Sequence, residues 1–209
     1  MNHPLFTTDK KIILASASPR RINFLKGLGL PFRALAADLD ETPYQDEPPE
    51  KFVRRMARAK ARAIARHHPD AVIIGADTVI DCHGRILGKP TDADHALAML
   101  QLLRKMRTHQ VITGFSLVCL RDQMDLNQSI ATTIHFSSLP DAVLRAYVDS
   151  GEPMGKAGAY AIQENGGFLV KKISGSSTNV IGLPMYELMK LFLDKGIIAP
   201  GCFNDGTLA

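Results

Sequence analysis

The chain has 209 residues, 45% of them hydrophobic and 22% charged, a composition that suits a folded globular protein of one large domain or two closely packed lobes and excludes a disordered one. Its 25 basic and 21 acidic residues leave a formal charge of +4, which favours anionic ligands without demanding nucleic acid. Cys82, Cys119 and Cys202 are isolated, which argues against a disulfide framework or a zinc site, and no apolar run approaches the ~20 residues of a membrane span, so a soluble cytoplasmic protein with no membrane partner is expected.

In chain order, KIILA (residues 11–15) predicts a strand. A helix follows, with Ser18 placed to cap it, Pro19 at its first position, Ile22, Leu25 and Leu28 recurring on one face, and Gly29 as its stop. Arg20 and Arg21 then fall in the first turn, where the helix dipole disfavours cations. Two readings are open: a pair of solvated arginines, or a site at which N–H groups, dipole and guanidinium groups all face one anion, with phosphate the leading candidate. A short extended piece (32–36) leads into the acidic loop DLDETPYQDEPPE, whose Asp38, Asp40, Glu41, Asp46 and Glu47 are each able to bind a hard cation.

A helix is predicted over residues 49–67. At 100° per residue, Phe52, Val53, Met56, Ala63 and Ile64 share one arc, and Arg54, Arg55, Arg58, Arg62 and Arg66 fall outside it. Lys60 lies in the middle of the apolar arc, so it either snorkels to water or reaches a half-buried anion. No aromatic residues interleave the arginine face, which reads as a solvated surface and not as a nucleic-acid patch. AVIIGA (71–76) predicts a buried strand with Asp77 directly at its C-terminal end, where ligands commonly bind in α/β sheets, and Thr78 beside it.

TVIDCHGRILG (78–88) predicts a hairpin turning at His83–Gly84, and GKP places a restrained Lys89 at its exit. A helix capped by Thr91 runs to residue 106. Strands are expected at HQVITGFSLVCL (109–120) and SIATTIHF (129–136), a helix at 141–150, strands at GAYAIQ (158–163) and GFLVKKI (167–173), then a Gly/Ser loop and a last helix at 185–194. The pattern is that of an α/β fold with a mixed sheet. Carboxylates with lysines and arginines, and no His/Cys cluster, point to Mg²⁺-type phosphate chemistry.

Taken in order, LASASPRR, DLDE, RMARAKA, GADTVI, GKP, THQVITG, GKAGAYAIQ and STNVIGLP resemble the motifs of the Maf proteins, nucleoside triphosphate pyrophosphatases, over residues 12–191. The resemblance implies a Maf/inosine triphosphatase-like fold: an elongated, twisted mixed sheet flanked by helices, in two lobes with a cleft between them. It implies one such domain over residues 1–209, with 1–11 and 197–209 as loose ends, and commonly a homodimer. It further implies hydrolysis of a nucleoside triphosphate to the monophosphate and pyrophosphate with Mg²⁺ or Mn²⁺, and an association with cell division.

Carried onto this chain, the resemblance makes Asp77, Glu41, Lys60 and Lys89 catalytic, with Glu41 and Asp77 holding the metal, and makes Ser16, Arg20, Arg21, Thr78, Gln163 and Lys156 substrate-binding. Thr78 and Gln163 match the members acting on dTTP and UTP, modified uridine triphosphates included. The alternatives are a 7-methyl-GTP pyrophosphatase or a non-catalytic nucleotide-binding division regulator. Lys105–Met106 and Glu164 depart from the family pattern and are expected near the cleft.

Overall fold

In the computed structural model, which describes residues 5–201, the chain runs β1 (Phe6–Thr7), β2 (Ile12–Leu14), α1 (Pro19–Gly27), β3 (Arg33–Ala34), α2 (Pro49–Ala65), β4 (Val72–Cys82), β5 (Arg85–Leu87), α3 (Ala93–Met106), β6 (Thr108–Cys119), β7 (Met124–Phe136) and α4 (Asp141–Asp149). Two 3₁₀ turns (Ala157–Ala159, Asn165–Leu169), β8 (Val170–Ser174), α5 (Ser177–Ile181), α6 (Met185–Asp194) and β9 (Ala199–Pro200) complete it. The main sheet has the order β3-β2-β4-β6-β7-β8, with β5 added on β4. Its β3-β2-β4 end is parallel and the rest antiparallel, which makes the sheet mixed, as the alternation of apolar runs and helices predicts.

One face of the sheet is covered by α2, which lies across β4 and β6. Two glycines permit that approach. A Cβ on Gly75 would sit 2.1 Å from the Ala57 carbonyl oxygen, and one on Gly114 would sit 2.4 Å from the Val53 backbone. On the other face the apolar side chains separate into two clusters. Val72, Ile74, Ala76, Phe115 and Leu117 pack with residues of α1 and α6, while Ile80, Cys82, Val111, Ile134 and Phe136 pack with residues of α3 and α4. Between the clusters the alternation is interrupted by Thr78 on β4 and Thr113 on β6, which are register partners. This polar pair divides the core of that face into two lobes.

Several local expectations are corrected. β4 is one eleven-residue strand, so Asp77 lies in its middle and not at its end; the predicted turn at His83–Gly84 does form, with both residues in the left-handed region. GAYAIQ is not a strand. Gly155, Gly158 and Ala159 all take positive φ, which breaks an extended run, and the segment is a 3₁₀ turn with Gln163 in the turn beyond it. Of GFLVKKI only residues 170–173 are extended. The Gly/Ser loop contains α5, capped by Ser176 Oγ accepting from Asn179 N, and α3 is capped by Asp92 in place of Thr91. The expected loose ends are tied together among the described residues: β1 pairs with β9, and Ile197 and Ile198 are buried beside Phe6. Cys202 lies outside the described residues.

His109 on β6 is buried among Phe136 and Tyr160, with Nε2 2.7 Å from the Tyr160 hydroxyl and Nδ1 without a hydrogen-bond partner among the described residues. Burial lowers its pKa to about 4. A lowered histidine is neutral in the fold, so its contribution is fully present above the unfolded value near 6.5 and is lost as pH falls toward 4, at a cost of about 3 kcal/mol. His109→Gln, which keeps a partner for Tyr160, is expected to flatten the fall in melting temperature between pH 7 and pH 4.5. Parallel melting curves for the two proteins would refute the assignment.

Candidate active site

β2 pairs with β4 only as far as Ile74, where Ala15 N makes the last bond to Ile74 O (2.8 Å), and β5 joins the same edge of β4 only from Ile80 onward. Residues 75–79 therefore have a strand neighbour on one side alone. A cleft of about 420 Å³ opens at this gap, and side chains from both faces of β4, Asp77 and Thr78, reach it. Ser16, Arg20, Arg21, Glu41, Lys60, Lys89 and Gln163 also line it. Nine of the ten residues expected from the sequence thus converge, although they come from six separate motifs along the chain.

Of the two courses open to Lys60, the side chain takes the second and reaches buried and half-exposed carboxylates. It is 7% exposed on the buried face of α2, and its Nζ donates to Asp77 Oδ1 at 2.7 Å while lying 2.5 Å from Glu41 Oε1. The arc itself is rotated slightly: Ala57, Ala61 and Ala65 are buried, whereas Ala63 and Ile64 are only half-buried. Of the acidic loop, Glu41 is the carboxylate that reaches the cleft. Asp40 caps Thr42, and Glu47 holds Arg55 through two hydrogen bonds. Burial pushes the Asp77 carboxyl above the usual carboxylate range, against the opposing pull of Lys60 and Arg21.

At the mouth of α1, Ser18 occupies the N-cap position but its side chain makes no capping bond, and the first turn holds no acid. The helix N–H groups are thus left without a side-chain acceptor while two arginines stand beside them. The two arginines differ. Arg20 is exposed, whereas Arg21 is anchored: Nε donates to Gly182 O (2.8 Å), Nη2 to Thr78 Oγ1 (3.0 Å) and Nη1 to Ser16 Oγ (3.4 Å). Burial lowers the Arg21 pKa, with Asp77 acting in the opposite direction. Three of its five N–H groups are committed and two remain for a ligand. Ser16 Oγ accepts from both Arg21 and Ser18 N (3.1 Å), so its own proton is free to be donated.

One expected residue is turned elsewhere. Lys156 is not among the lining residues, although Gly155 and Ala157 are; its ammonium is held by the Glu152 carbonyl and by Glu164 at 3.0 Å. The carboxylate that holds it there belongs to Glu164, one of the departures from the family pattern. Gln163 lines the cleft and is exposed. Lys105 is also away from the cleft, beside Arg107 and Pro140 in a separate hollow.

Three residues without an expected role stand beside these: Gly182 lines the cleft, and Thr113 and Asn179 lie behind Thr78. Thr113 and Asn179 are fully buried; the Thr113 hydroxyl is hydrogen-bonded both to the Thr78 hydroxyl and to the Asn179 main-chain oxygen. A signal was present: Thr113 interrupts the alternation of Val111, Phe115 and Leu117 with a polar residue.

Among the described residues no group of three or more His, Cys, Asp or Glu side chains converges as a metal cage. Glu41 and Asp77 do converge on one cation, the Lys60 ammonium. Two carboxylates supplemented by substrate phosphates are a usual way of holding Mg²⁺, so this donor set fits a hard divalent ion brought in with a polyphosphate.

A family model described as Maf-like protein matches residues 11–195. A dTTP/UTP pyrophosphatase of Desulfotalea psychrophila is 43% identical over 195 residues, covering 93% of this chain and all of the relative. A second, from Nitratidesulfovibrio vulgaris, is 46% identical over 194 residues, covering 92% and 91%. A solved nucleoside-triphosphatase / dITP/XTP pyrophosphatase of Mycobacterium abscessus aligns over 89% of this chain and 95% of its own, at 14% identity and a TM-score of 0.44.

Proposed function

We propose, from the premise that this chain belongs to the Maf-like protein family, that it is a nucleoside triphosphate pyrophosphatase acting on dTTP and UTP, modified uridine triphosphates included, and releasing the monophosphate and pyrophosphate. The observation that carries the reading is the cation held between Glu41 and Asp77 beside an uncapped helix N-terminus with two arginines. That juxtaposes a place for a polyanion with a buried carboxylate able to act on water.

In this reading Arg20, the N–H groups of α1 and the free proton of Ser16 hold phosphate oxygens, and Lys89 approaches from the exit of the β5 hairpin. Arg21 keeps two donors for the nucleotide. Lys60 holds Glu41 and Asp77 in place and offsets negative charge as pyrophosphate leaves. Asp77, with its raised pKa, takes the proton of the attacking water. Glu41 and Asp77 would hold Mg²⁺ or Mn²⁺, which when bound polarises the phosphoryl oxygens. Gln163 reads the base with Thr78. Lys156 acts on the Gln163 turn through Glu164. On the same reading the chain is one Maf-like unit that works in the cytoplasm as a homodimer.

The test is product analysis with a triphosphate panel in ¹⁸O-water. Expected are pyrophosphate release from dTTP and UTP above 7-methyl-GTP, ATP and dGTP, and label in the monophosphate, which marks attack at the α-phosphorus. EDTA should abolish the activity, and Mg²⁺ or Mn²⁺ should restore it. Release of orthophosphate, or rescue by Zn²⁺ alone, would refute the scheme. A protein that binds triphosphates without turnover would support the regulator alternative.

A further inference from the structure

The Thr78 hydroxyl has a polarity that follows from counting protons. Arg21 Nη2 must be the donor to Thr78 Oγ1, since a guanidinium has no acceptor. Thr113 Oγ1 donates to the Asn179 carbonyl oxygen at 2.9 Å, and this uses its single proton. Thr78 and Thr113 hydroxyl oxygens are 2.9 Å apart, so the proton between them comes from Thr78. Thr113 and Asn179 are both 0% exposed, which denies either an alternative partner in water. The relay ends on the Asn179 main-chain carbonyl, which can only accept, and the residue is held in place by its side-chain amide, which donates to Val111 O and to Thr132 Oγ1, each at 3.0 Å.

With its proton given to Thr113 and one lone pair taken by Arg21, Thr78 has only an acceptor to offer a ligand. An acceptor does not suit a phosphate oxygen, which is itself an acceptor; Ser16, whose proton is free, has the opposite polarity and suits one. Beside the Thr78 acceptor stand the two uncommitted N–H donors of Arg21. A donor next to an acceptor is the complement of a C=O next to an N–H, the imide edge of uracil and thymine at N3. Cytosine has an unprotonated nitrogen at that position.

We propose that Thr113 is a specificity-determining positioning residue: by accepting the Thr78 proton it makes Thr78 an obligate acceptor, which reads the N3–H of a uracil or thymine base and disfavours cytosine. This rests on the pyrophosphatase reading above and deepens it. UTP and CTP are the informative pair, because they are equal in size and differ at this edge.

The experiment measures kcat/KM for UTP, CTP and N3-methyl-UTP with the parent, Thr113→Val and Thr113→Ser. Thr→Val keeps the volume, and Asn179 O retains the Gly182 N–H as a partner at 3.0 Å. The parent is expected to favour UTP over both other nucleotides by roughly tenfold or more, the equivalent of one discriminating hydrogen bond. Thr113→Val frees the Thr78 proton to be donated to cytosine N3, and the UTP:CTP ratio should fall to within about threefold of unity. Thr113→Ser keeps the acceptor and should keep the parent ratio.

An unchanged ratio in Thr113→Val overturns the proposal, as does an equal collapse in Thr113→Ser, which would assign the effect to the methyl group. Should Thr113→Val fail to fold, the parent alone decides: N3-methyl-UTP turned over as well as UTP overturns the proposal, and discrimination against it upholds it. These outcomes are read as a base preference and so touch this inference alone, whereas a parent that releases pyrophosphate from no triphosphate overturns the function reading and this inference with it.

Discussion

Asp77→Asn is expected to lower pyrophosphate release on the order of 10²–10⁴-fold, the span attributed to a positioned general base. The carboxylate is 8% exposed, sits where β4 has lost β2 and has not yet met β5, and shares the Lys60 ammonium with Glu41. Asparagine keeps the shape and can still accept from Lys60, but it neither takes a proton nor holds a hard cation. Stability should not suffer. Because burial raises the Asp77 pKa, the folded state favours its neutral form; the stabilisation from this group is present below the ordinary carboxylate value and is lost as pH rises through the folded value. A neutral amide removes that loss, so the melting temperature of Asp77→Asn near pH 7.5 is expected to equal or exceed that of the parent. For the same reason the acidic limb of the parent rate profile should lie above the usual carboxylate range and be missing from any residual activity of the variant. Turnover within a few-fold of the parent would remove Asp77 from the chemistry.

Lys60→Met is the second large effect, and here the tertiary contacts reverse what the helical wheel suggests. On the wheel a methionine suits the apolar arc. In the fold it would leave a buried carboxylate without its nearest cation, a loss that typically costs about 3–5 kcal/mol when one member of a buried pair is removed. Asp77 retains Arg21 as a charge neighbour, which places the expected cost toward the lower end. The deficit should be largest at alkaline pH and should shrink as pH falls and Asp77 takes up a proton. Activity should fall by on the order of a hundredfold or more, because charge stabilisation of the leaving group and the placement of Glu41 are lost together. Lys60→Met combined with Asp77→Asn is expected to recover stability and no activity. Melting curves across pH with initial rates for the three proteins decide the matter; a Lys60→Met protein that is as stable as the parent at every pH would show that the ion pair contributes nothing to the fold.

Arg20 and Arg21 show how far each level of description reaches. Their position in the first turn of α1 was legible, because Ser18, Pro19 and the apolar repeat locate the helix, and a chain without acids in that turn leaves its N–H groups open. That Arg21 is anchored by three acceptors while Arg20 stays exposed was not legible, since Gly182, Thr78 and Ser16 come to Arg21 from three different parts of the fold. Gln163 and Lys156 show the reverse case. The apolar alternation of GAYAIQ imitates a strand, but the positive φ of Gly158 and Ala159, with that of Gly155 just before, turns the backbone, and Glu164 holds Lys156 away from the cleft.

By itself the sequence determined what depends on neighbours along the chain: the α/β alternation, the extent of α2, the placing of Lys60 on its apolar face, and a cation-rich start to α1. Helical and extended periodicities are local properties, so they survive without knowledge of the partner. Only the tertiary structure decided which acid of the loop meets Lys60, that Asp77 lies mid-strand at a gap between two neighbours, and that Thr78 faces Thr113. Those facts depend on strand register and on where one strand ends beside another, and register is set by pairing between segments far apart in the chain, which no local pattern encodes.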